Sequence, residues 1–185
     1  MNYKELKDIL LIDRSRNIGR DSFFHKLFII TTRHSSWLRW KYIKYVRLSV
    51  YYEELYRNKS KIFIIPLFFF LLKKNHLGNK LGFEIGGYNI GRGISLCHIG
   101  FIIINGQSKI GDYCTFHGDN CIGNDGITDD CPIIGNGVDI GVGAIIIGGV
   151  RIADNVKIGA GAVVVNDILE EGSTVVGIPA RMIKR

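Results

Sequence analysis

Apolar residues recur every six positions through the second half of the chain. Steps of six from Ile104 to Val164 reach eleven positions, of which ten are apolar. These positions are Ile104, Ile110, Phe116, Ile122, Thr128, Ile134, Ile140, Ile146, Ile152, Ile158 and Val164. A helix repeats its apolar residues at about 3.6 positions and a half-buried strand at about 2, so neither explains the pattern. Period six predicts a parallel β-helix of hexapeptide repeats, with three short strands in each coil and these side chains pointing inward.

Glycine directly follows five of the eleven positions, at 111, 123, 135, 141 and 159. We expect these glycines to permit the backbone angles that tight corners need. An earlier register, Ile90–Ile102, slips by two residues to join the main one at Ile104, so we expect a distorted corner beside His98. Thr128 lies in a polar segment rich in turn residues. Residues 123–132 are therefore predicted to form a loop that projects from the side of the β-helix.

Composition divides the chain near Gly82. Residues 1–83 contain 17 Lys and Arg against 6 Asp and Glu, whereas residues 84–185 contain 7 against 11. Three glycines precede residue 84 and 20 follow. The sequence therefore predicts a mainly β protein: a basic α-helical N-terminal segment over 1–83, then a parallel β-helix with a C-terminal cap over 84–185.

Two stretches of the N-terminal segment have helical patterns. Lys4–Leu11 alternates apolar and charged residues, and Trp37–Tyr56 is rich in aromatic and basic residues. The second stretch would suit nucleic acid or acidic lipid, or it would be an amphipathic helix whose aromatics pack on its neighbours. No nucleic-acid-binding motif accompanies the charge, so we favour packing and predict no nucleic-acid partner.

Ile62–Leu72 is an uninterrupted apolar run between lysines. A membrane-spanning helix needs about 20 apolar residues, so this run is too short to cross a bilayer. It would serve as a membrane-surface anchor, or be buried between subunits or against the β-helix; burial is favoured. The first eleven residues lack a secretory signal. We expect a cytoplasmic protein, with peripheral contact at the inner face of the membrane through residues 1–83 left open.

The β-helix contains four cysteines and two histidines. The cysteines, at 97, 114, 121 and 131, have no CxxC spacing and are expected to be reduced. His98 and His117 lie about one coil apart and would face one cleft. A zinc site like that of a γ-carbonic anhydrase needs a third histidine, which this part of the chain lacks, so no metal is predicted. A cysteine ligand in place of that histidine is the open alternative, and a metal analysis that found stoichiometric zinc would favour it.

Several motifs resemble those of a known family. They are ISLCH (94–98), TFHGDNCIGN (115–124), CPIIGNG (131–137), IGAGAVV (158–164) and GIPAR (177–181). In these motifs the chain resembles the serine-acetyltransferase-like branch of the left-handed β-helix acyltransferases, and especially the acetyltransferases of colanic acid and capsular polysaccharide biosynthesis. The resemblance therefore implies a left-handed β-helix over 84–185. The resemblance is strong over 84–185 and weaker over 42–83.

The resemblance implies acetyl transfer from acetyl-CoA to a hydroxyl, without a metal, in a homotrimer with active sites between subunits. It assigns His98 as general base and Glu84, fourteen residues upstream, as its carboxylate partner. A neutral imidazole oriented by a carboxylate suits removal of an alcohol proton. The resemblance places His117, together with Cys97, Cys131 and Asn124, on the acceptor side.

For CoA, the resemblance points to small residues of the late coils and to the basic C-terminal end. The small residues are Gly143, Ala144, Gly161 and Ala162, which alternatively meet only the geometric needs of the β-helix. Arg181 and Lys184 would meet the phosphates of CoA. Arg181 would alternatively pair with Glu170 and Glu171.

Two departures from the serine acetyltransferases bear on the acceptor. Cys97 and Cys131 stand where those enzymes have an aspartate and a histidine that hold serine. We therefore expect a sugar or glycan acceptor of surface polysaccharide biosynthesis, with serine O-acetylation of cysteine biosynthesis as the alternative. A non-catalytic scaffold is a further possibility. Because the C-terminal extension of those enzymes is missing after Arg181, cysteine synthase is not an expected partner.

Overall fold

The computed structural model of the protein describes residues 1–19 and 23–183. The chain divides into a helical unit, Met1–Phe83, and a second unit, Glu84–Arg185, in which short strands predominate. Each unit has its own buried apolar side chains, Trp40 and Val46 in the first and Phe116 and Ile140 in the second.

Helices account for most of the first unit. They are α1 (Tyr3–Ile18), α2 (Phe23–Thr31), α3 (Ser35–Asn58) and α4 (Ile64–Leu81), with a 3-10 turn at Lys61–Phe63. Helix α1 begins in a capping box. The Asn2 side chain accepts the backbone N–H of Glu5, and the Glu5 side chain accepts the backbone N–H of Asn2. Helix α4 ends at Gly82, whose φ of 77° suits glycine. The two stretches predicted to be helical lie within α1 and α3.

Helix α3 packs against both α1 and α4. The ring of Tyr52 on α3 stacks on that of Phe70 on α4, with centroids 5.4 Å apart. Arg47 of α3 donates from Nε to Oδ2 of Asp13 on α1 over 2.9 Å, and both side chains are almost inaccessible. Aromatic packing between helices therefore accounts for much of the aromatic content of α3.

The apolar run Ile62–Leu72 forms the 3-10 turn and the first half of α4. Leu67 is buried, but Ile62, Ile65, Phe68, Phe69 and Leu72 are 52–71% exposed. Burial of this run between subunits or against the β-helix stays a prediction, since the exposure of one chain does not test it. An α-helix turns only one stripe of an apolar run toward its neighbour and leaves the opposite stripe outside. Within the described ranges, no helix is long and apolar enough to cross a bilayer.

In the second unit, three sheets form the three sides of the β-helix. We call each sheet a wall and the triangular solid that they enclose the prism. Wall 1 contains β1, β3, β6, β9 and β12; wall 2 contains β4, β7 and β10; wall 3 contains β2, β5, β8, β11, β13 and β14. The strands are β1 Phe83–Ile85, β2 Ser95–Leu96, β3 Ile102–Ile104, β4 Lys109–Ile110, β5 Thr115–Phe116, β6 Asn120–Gly123, β7 Ile133–Ile134, β8 Asp139–Ile140, β9 Ile145–Ile147, β10 Arg151–Ile152, β11 Lys157–Ile158, β12 Val163–Val164, β13 Thr174–Val176 and β14 Arg181–Met182. The pairing is parallel, except that β14 runs antiparallel to β13.

The core of the prism consists of the side chains at period six. The ten apolar positions of the main register are at most 4% exposed, and Phe116, Ile122 and Ile140 are inaccessible. Thr128, the one polar position, is exposed. Period six therefore identifies the inward-pointing side chains correctly.

Two coils are longer than the others. Equivalent residues of wall 3 are Ser95, Thr115, Asp139 and Lys157, which pair in register. Their separations are 20, 24 and 18 residues, so the first coil has two additional residues and the second has six. The two additional residues of the first coil lie at the corner 97–101 beside His98. The six additional residues of the second coil lie in the segment 124–132.

The glycines that follow the apolar positions serve close approach between coils. An added Cβ at Gly111 would lie 2.5 Å from the carbonyl oxygen of Gly135, and one at Gly141 would lie 2.6 Å from the Ala160 nitrogen. Neither glycine has a positive φ. The expectation that they permit special backbone angles is therefore wrong at these two positions. The left-handed angle occurs instead two residues later, as at Gly143, where φ is 70°.

Polar side chains link successive coils along the corner between walls 2 and 3. The Asp112 side chain accepts the backbone N–H of Arg92 from the coil before. The Asn136 side chain accepts the backbone N–H of Asp112 in the same way. Asp154 continues the ladder by accepting the Asn136 N–H over 2.7 Å and its side-chain amide over 3.1 Å. These bonds hold the pKa of Asp154 below its ordinary value, because they favour the ionised carboxylate.

Candidate functional site

His98 lies at the corner between walls 3 and 1, two residues beyond the end of β2. Its side chain is exposed, and an added Cβ at Gly118 in the next coil would lie 3.5 Å from the His98 Cβ. Gly118 therefore lies beside His98 in the next coil. Among the described residues, no side-chain hydrogen bond or ion pair involves His98. An accessible imidazole without such a partner is chemically suited to accept a proton from a ligand.

Glu84 is exposed in β1, on wall 1, whereas His98 follows a strand of wall 3. In the part of the chain that the structure describes, no hydrogen bond or ion pair joins the two side chains. The pairing of His98 with Glu84 that the resemblance implies is therefore not observed within one chain.

A histidine–carboxylate pair does occur one coil later. The Nε2 of His117 and the Oδ1 of Asp139 are 2.7 Å apart, and the side chains are 39% and 46% exposed. When the ring is neutral, a proton on Nε2 donates to the carboxylate and leaves the lone pair on Nδ1. Asp139 therefore orients the ring of His117, as a carboxylate does in a catalytic triad.

The spacing of the coils carries a signal for Asp139, which was not among the predicted site residues. Thr115 and Asp139 are in register on neighbouring strands. Because His117 lies two residues after Thr115, Asp139 lies one coil below it and close to it in space. Counting 18 residues from Thr115 leads to the wrong residue, because the segment 124–132 adds six. Once these six are allowed for, the carboxylate falls beside His117.

His98 and His117 lie at the same corner of the β-helix, between walls 3 and 1. Two glycines of the late coils lie at this corner as well. The backbone N–H of Cys97 donates to the carbonyl oxygen of Phe116, which sets Cys97 above His117. Gly143 and Gly161 follow at the same corner in the next coils, where the Gly143 N–H donates to Gly118 and the Gly161 N–H donates to Val142. This corner therefore presents two imidazoles above a strip of small residues.

Two of the four small residues predicted to hold CoA are core residues. Ala144 and Ala162 are 0% exposed, so they cannot contact a bound CoA, and that expectation is corrected. Both point into the prism, where a methyl group fills the narrow corner. Gly143 is half-buried and Gly161 is exposed, so these two remain candidates.

The predicted phosphate contacts lie near the end of the chain. Arg181 is exposed in β14 and donates to the carbonyl oxygen of Ala180 over 3.4 Å. Over the described ranges it forms no ion pair, so the alternative pairing with Glu170 and Glu171 is not observed. Lys184 lies outside the described residues.

The remaining predicted acceptor residues lie at another corner. Asn124 and Cys131 belong to the segment between β6 of wall 1 and β7 of wall 2. The Asn124 amide donates to the Thr128 carbonyl oxygen over 3.0 Å, so it helps hold the segment together. Asp125 accepts the N–H groups of Ile127 and Thr128, which lowers its pKa. Within one chain, these residues are therefore separated from His98 and His117.

Cysteine and metal chemistry add little to this geometry. Cys97, Cys121 and Cys131 are half-buried, Cys114 is buried, and none of the four is in a disulfide within the described residues. In the part of the chain that the structure describes, no group of three His, Cys, Asp or Glu side chains is arranged to hold a metal ion.

Comparison with known proteins gives consistent matches at the level of the fold. No family model matches the chain. Soybean serine acetyltransferase, solved as the apoenzyme and complexed with serine, matches with TM-scores of 0.75 and 25% identity over 97% of this chain. The matches cover 69% and 70% of those chains. The chain has the serine acetyltransferase fold. The predicted fold class, a left-handed β-helix preceded by helices, is thereby confirmed.

Curated relatives match over shorter stretches at higher identity. Serine acetyltransferase of Synechococcus elongatus is 38% identical over 115 residues, covering 60% of this chain and 47% of that protein. The Helicobacter pylori enzyme (strain 26695) is 39% identical over 107 residues, covering 56% and 62%. This chain thus spans about half to three-fifths of the lengths of these two relatives. A serine acetyltransferase solved in complex with CoA has the same fold, with a TM-score of 0.71 and 23% identity.

These matches correct the expected acceptor. The curated relatives named above and the soybean structures are serine acetyltransferases, so the expectation of a colanic acid or capsular polysaccharide enzyme is wrong. The prediction rested on Cys97 and Cys131, which stand where the resemblance expects an aspartate and a histidine. The expected absence of cysteine synthase as a partner gains no support from this similarity.

Proposed function

We propose that this protein is a serine O-acetyltransferase, which transfers the acetyl group of acetyl-CoA to the hydroxyl of serine. The similarity to serine acetyltransferases carries the proposal. The corner that presents His98 and the His117–Asp139 pair supports it, because acyl transfer to an alcohol requires an accessible base. A thioester is already activated, so the residues need only position serine, remove its proton and stabilise the oxyanion.

His98 is the proposed general base. Its neutral imidazole takes the proton of the serine hydroxyl as the oxygen attacks the thioester carbonyl carbon. The tetrahedral intermediate then collapses, the carbon–sulfur bond breaks, and the imidazolium returns its proton to the departing thiolate. The products are O-acetylserine and CoA. The His117–Asp139 pair lies one coil away and is proposed to position serine.

CoA is proposed to lie along the corner strip of Gly143 and Gly161. Glycine leaves the backbone open to close approach by an extended ligand. Arg181 is exposed and is the proposed contact for a CoA phosphate. Because the reaction consumes acetyl-CoA, a cytoplasmic thioester, we place it in the cytoplasm; membrane contact through residues 1–83 is not required for it.

A site between subunits is part of the proposal. One chain separates the segment of Asn124 and Cys131 from His98 and His117, and a second chain of a homotrimer would supply the missing side. To test this, His98→Ala would be co-expressed with Cys131→Trp, whose large ring would fill the acceptor side. Recovery of activity in mixed oligomers, with neither variant active alone, supports a shared site. No recovery in oligomers shown to be mixed contradicts it.

The first experiment is to measure CoA release from acetyl-CoA with serine as acceptor. Turnover that falls by about 10²- to 10⁴-fold in His98→Ala would support the proposed base. Glu84→Gln, compared with wild type, tests whether that carboxylate assists; an unchanged kcat would remove it from the mechanism. No turnover with serine under conditions where the protein is folded would overturn the proposed function.

The two cysteines permit a second test of the acceptor. If Cys97 occupies the place of an aspartate that holds serine, Cys97→Asp should lower the KM for serine and leave kcat little changed. Cys114→Ala is a matched control, because Cys114 is buried in the prism away from ligand. An equal change in KM in both variants would contradict a role for position 97 in serine binding.

A further inference from the structure

The helical unit contains a cleft of about 570 Å³ with a strongly basic lining. It lies where the end of α2, the first half of α3 and the second half of α4 meet. Arg33, Lys41, Lys73 and Lys80 contribute cations, and Trp37 and Tyr45 contribute aromatic rings. The volume lies within the range of small-molecule sites, about 300 to 1,000 Å³.

The described lining of the cleft is basic. Among the residues that the structure describes, it contains five basic side chains, the fifth being His76, and no Asp or Glu. Among the described residues, Arg33, Lys41, Lys73 and Lys80 form no ion pair. Like charges held close together repel one another, and a concave surface of one sign concentrates the opposite ion. Such a cleft therefore favours a ligand with several negative charges.

The aromatic side chains suggest what else the ligand carries. Trp37 and Tyr45 are each half-buried, so an accessible part of each ring remains along the cleft. Within the lining, the Lys41 ammonium lies 6.0 Å from the Tyr45 ring centroid. Aromatic faces beside cations suit a planar ring joined to phosphates, because the ring stacks while the phosphates meet the ammonium groups.

We propose that this cleft binds a phosphorylated small molecule with more than one phosphate and a planar ring, as in a nucleoside di- or triphosphate. This site is separate from the acetyl-transfer chemistry proposed above and does not depend on it. The same phosphate chemistry would come from a lipid headgroup, so the test needs one arm for each source. Nucleic acid is less well suited, because the cations converge on a cleft rather than along an extended face.

Calorimetry with the full-length protein tests the proposal. The soluble probes are ATP, pyrophosphate and inorganic phosphate; phosphatidylglycerol and phosphatidylcholine vesicles form the second arm. Lys73→Ala/Lys80→Ala removes two cations of the cleft, and Lys44→Ala/Lys59→Ala is a charge-matched control outside it. Trp37→Leu removes one aromatic wall and keeps the charge.

Each lysine removed should weaken ATP binding up to about fivefold, as expected of exposed ion pairs, while the control pair changes little. Binding should also weaken as ionic strength rises. Trp37→Leu should weaken ATP more than pyrophosphate, because only ATP has a ring to stack. Binding confined to phosphatidylglycerol vesicles, and lost in the cleft double variant, would overturn the nucleotide ligand, because that headgroup has one phosphate and no planar ring.

Three further results would overturn the proposal. These are no binding of any phosphorylated probe, binding that the control pair weakens as much as the cleft pair, and binding of DNA but of no small phosphate. Measuring acetyl transfer on the same preparations separates this proposal from the function proposed above, since either can fail while the other stands.

Discussion

His117 and Asp139 are joined side chain to side chain across two neighbouring coils of the β-helix, with Nε2 and Oδ1 2.7 Å apart. The coil between them contains six residues more than the regular repeat. The additional residues form the segment 124–132 without disturbing the register of Thr115 with Asp139. A parallel ladder keeps successive coils aligned, so an insertion at one corner leaves the strands on the next wall in place.

Asp139→Asn should raise the KM for serine about tenfold and change kcat less. The amide cannot stabilise the ring of His117 as the carboxylate does, so the imidazole would adopt other orientations. Steady-state kinetics with serine as the varied substrate measures the effect. Asp129→Asn, in the exposed segment, is the control. If kcat instead falls as far as in His98→Ala, His117 takes part in proton transfer rather than in positioning serine.

Arg47→Met should destabilise the helical unit by about 3 to 5 kcal/mol. The substitution leaves the carboxylate of Asp13 buried without its cation, and an uncompensated buried charge is costly. Urea unfolding followed by helical circular dichroism measures the change. Arg57→Met is the control, because its ion pair with Glu53 is exposed and should contribute at most about 1 kcal/mol. Equal losses in the two variants would show that burial of the pair has no energetic consequence.

Gly111→Ala should destabilise the β-helix by about 1 to 3 kcal/mol. The new methyl group would lie 2.5 Å from the backbone oxygen of Gly135, and backbone atoms of a neighbouring coil have little freedom to move. Gly106→Ala is a matched control, since its nearest contact would be 3.8 Å away and its φ is not positive. Thermal unfolding of both variants makes the comparison. A Gly111→Ala protein as stable as the control would mean that the coils can separate locally.

The β-helix should lose stability in acid partly through Asp154. Hydrogen bonds from Asn136 lower the pKa of this carboxyl in the folded state. Its contribution is therefore present above the unfolded pKa, about 3.9, and is lost as pH falls through the lower folded pKa. Asp154→Asn should flatten the dependence of the urea midpoint on pH below about 4. Identical curves for wild type and variant would show that the ladder does not contribute in this way.

Several features of the fold were predictable because they are local and repeated. Period six identified the side chains that fill the prism, from Ile104 to Val164, and the exception at Thr128 marked the segment that leaves it. The helical pattern of Trp37–Tyr56 likewise lies within α3. Each of these predictions requires only that neighbouring residues share one geometry.

The site was less predictable, because it depends on which coils lie side by side. His98 was singled out from the sequence, but the carboxylate observed beside an imidazole is Asp139, next to His117. Ala144 and Ala162 looked equivalent to Gly143 and Gly161, yet a side chain at that position points into the prism. Successive side chains point to opposite faces of a wall, so a shift of one residue moves a side chain from the outer face to the core. Glycine and alanine are both small, so the sequence does not show which of them faces inward.

The sequence by itself determined the β-helix, its inward-facing positions and the helical character of the first 83 residues. These follow from periodic burial of apolar side chains, which acts in the same way in every coil or turn. Only the tertiary structure decided that His117 meets Asp139, that one stripe of Ile62–Leu72 stays exposed, and that Arg33, Lys41, Lys73 and Lys80 surround one cleft. Those contacts join residues far apart in the chain, so they depend on how coils and helices pack rather than on local spacing.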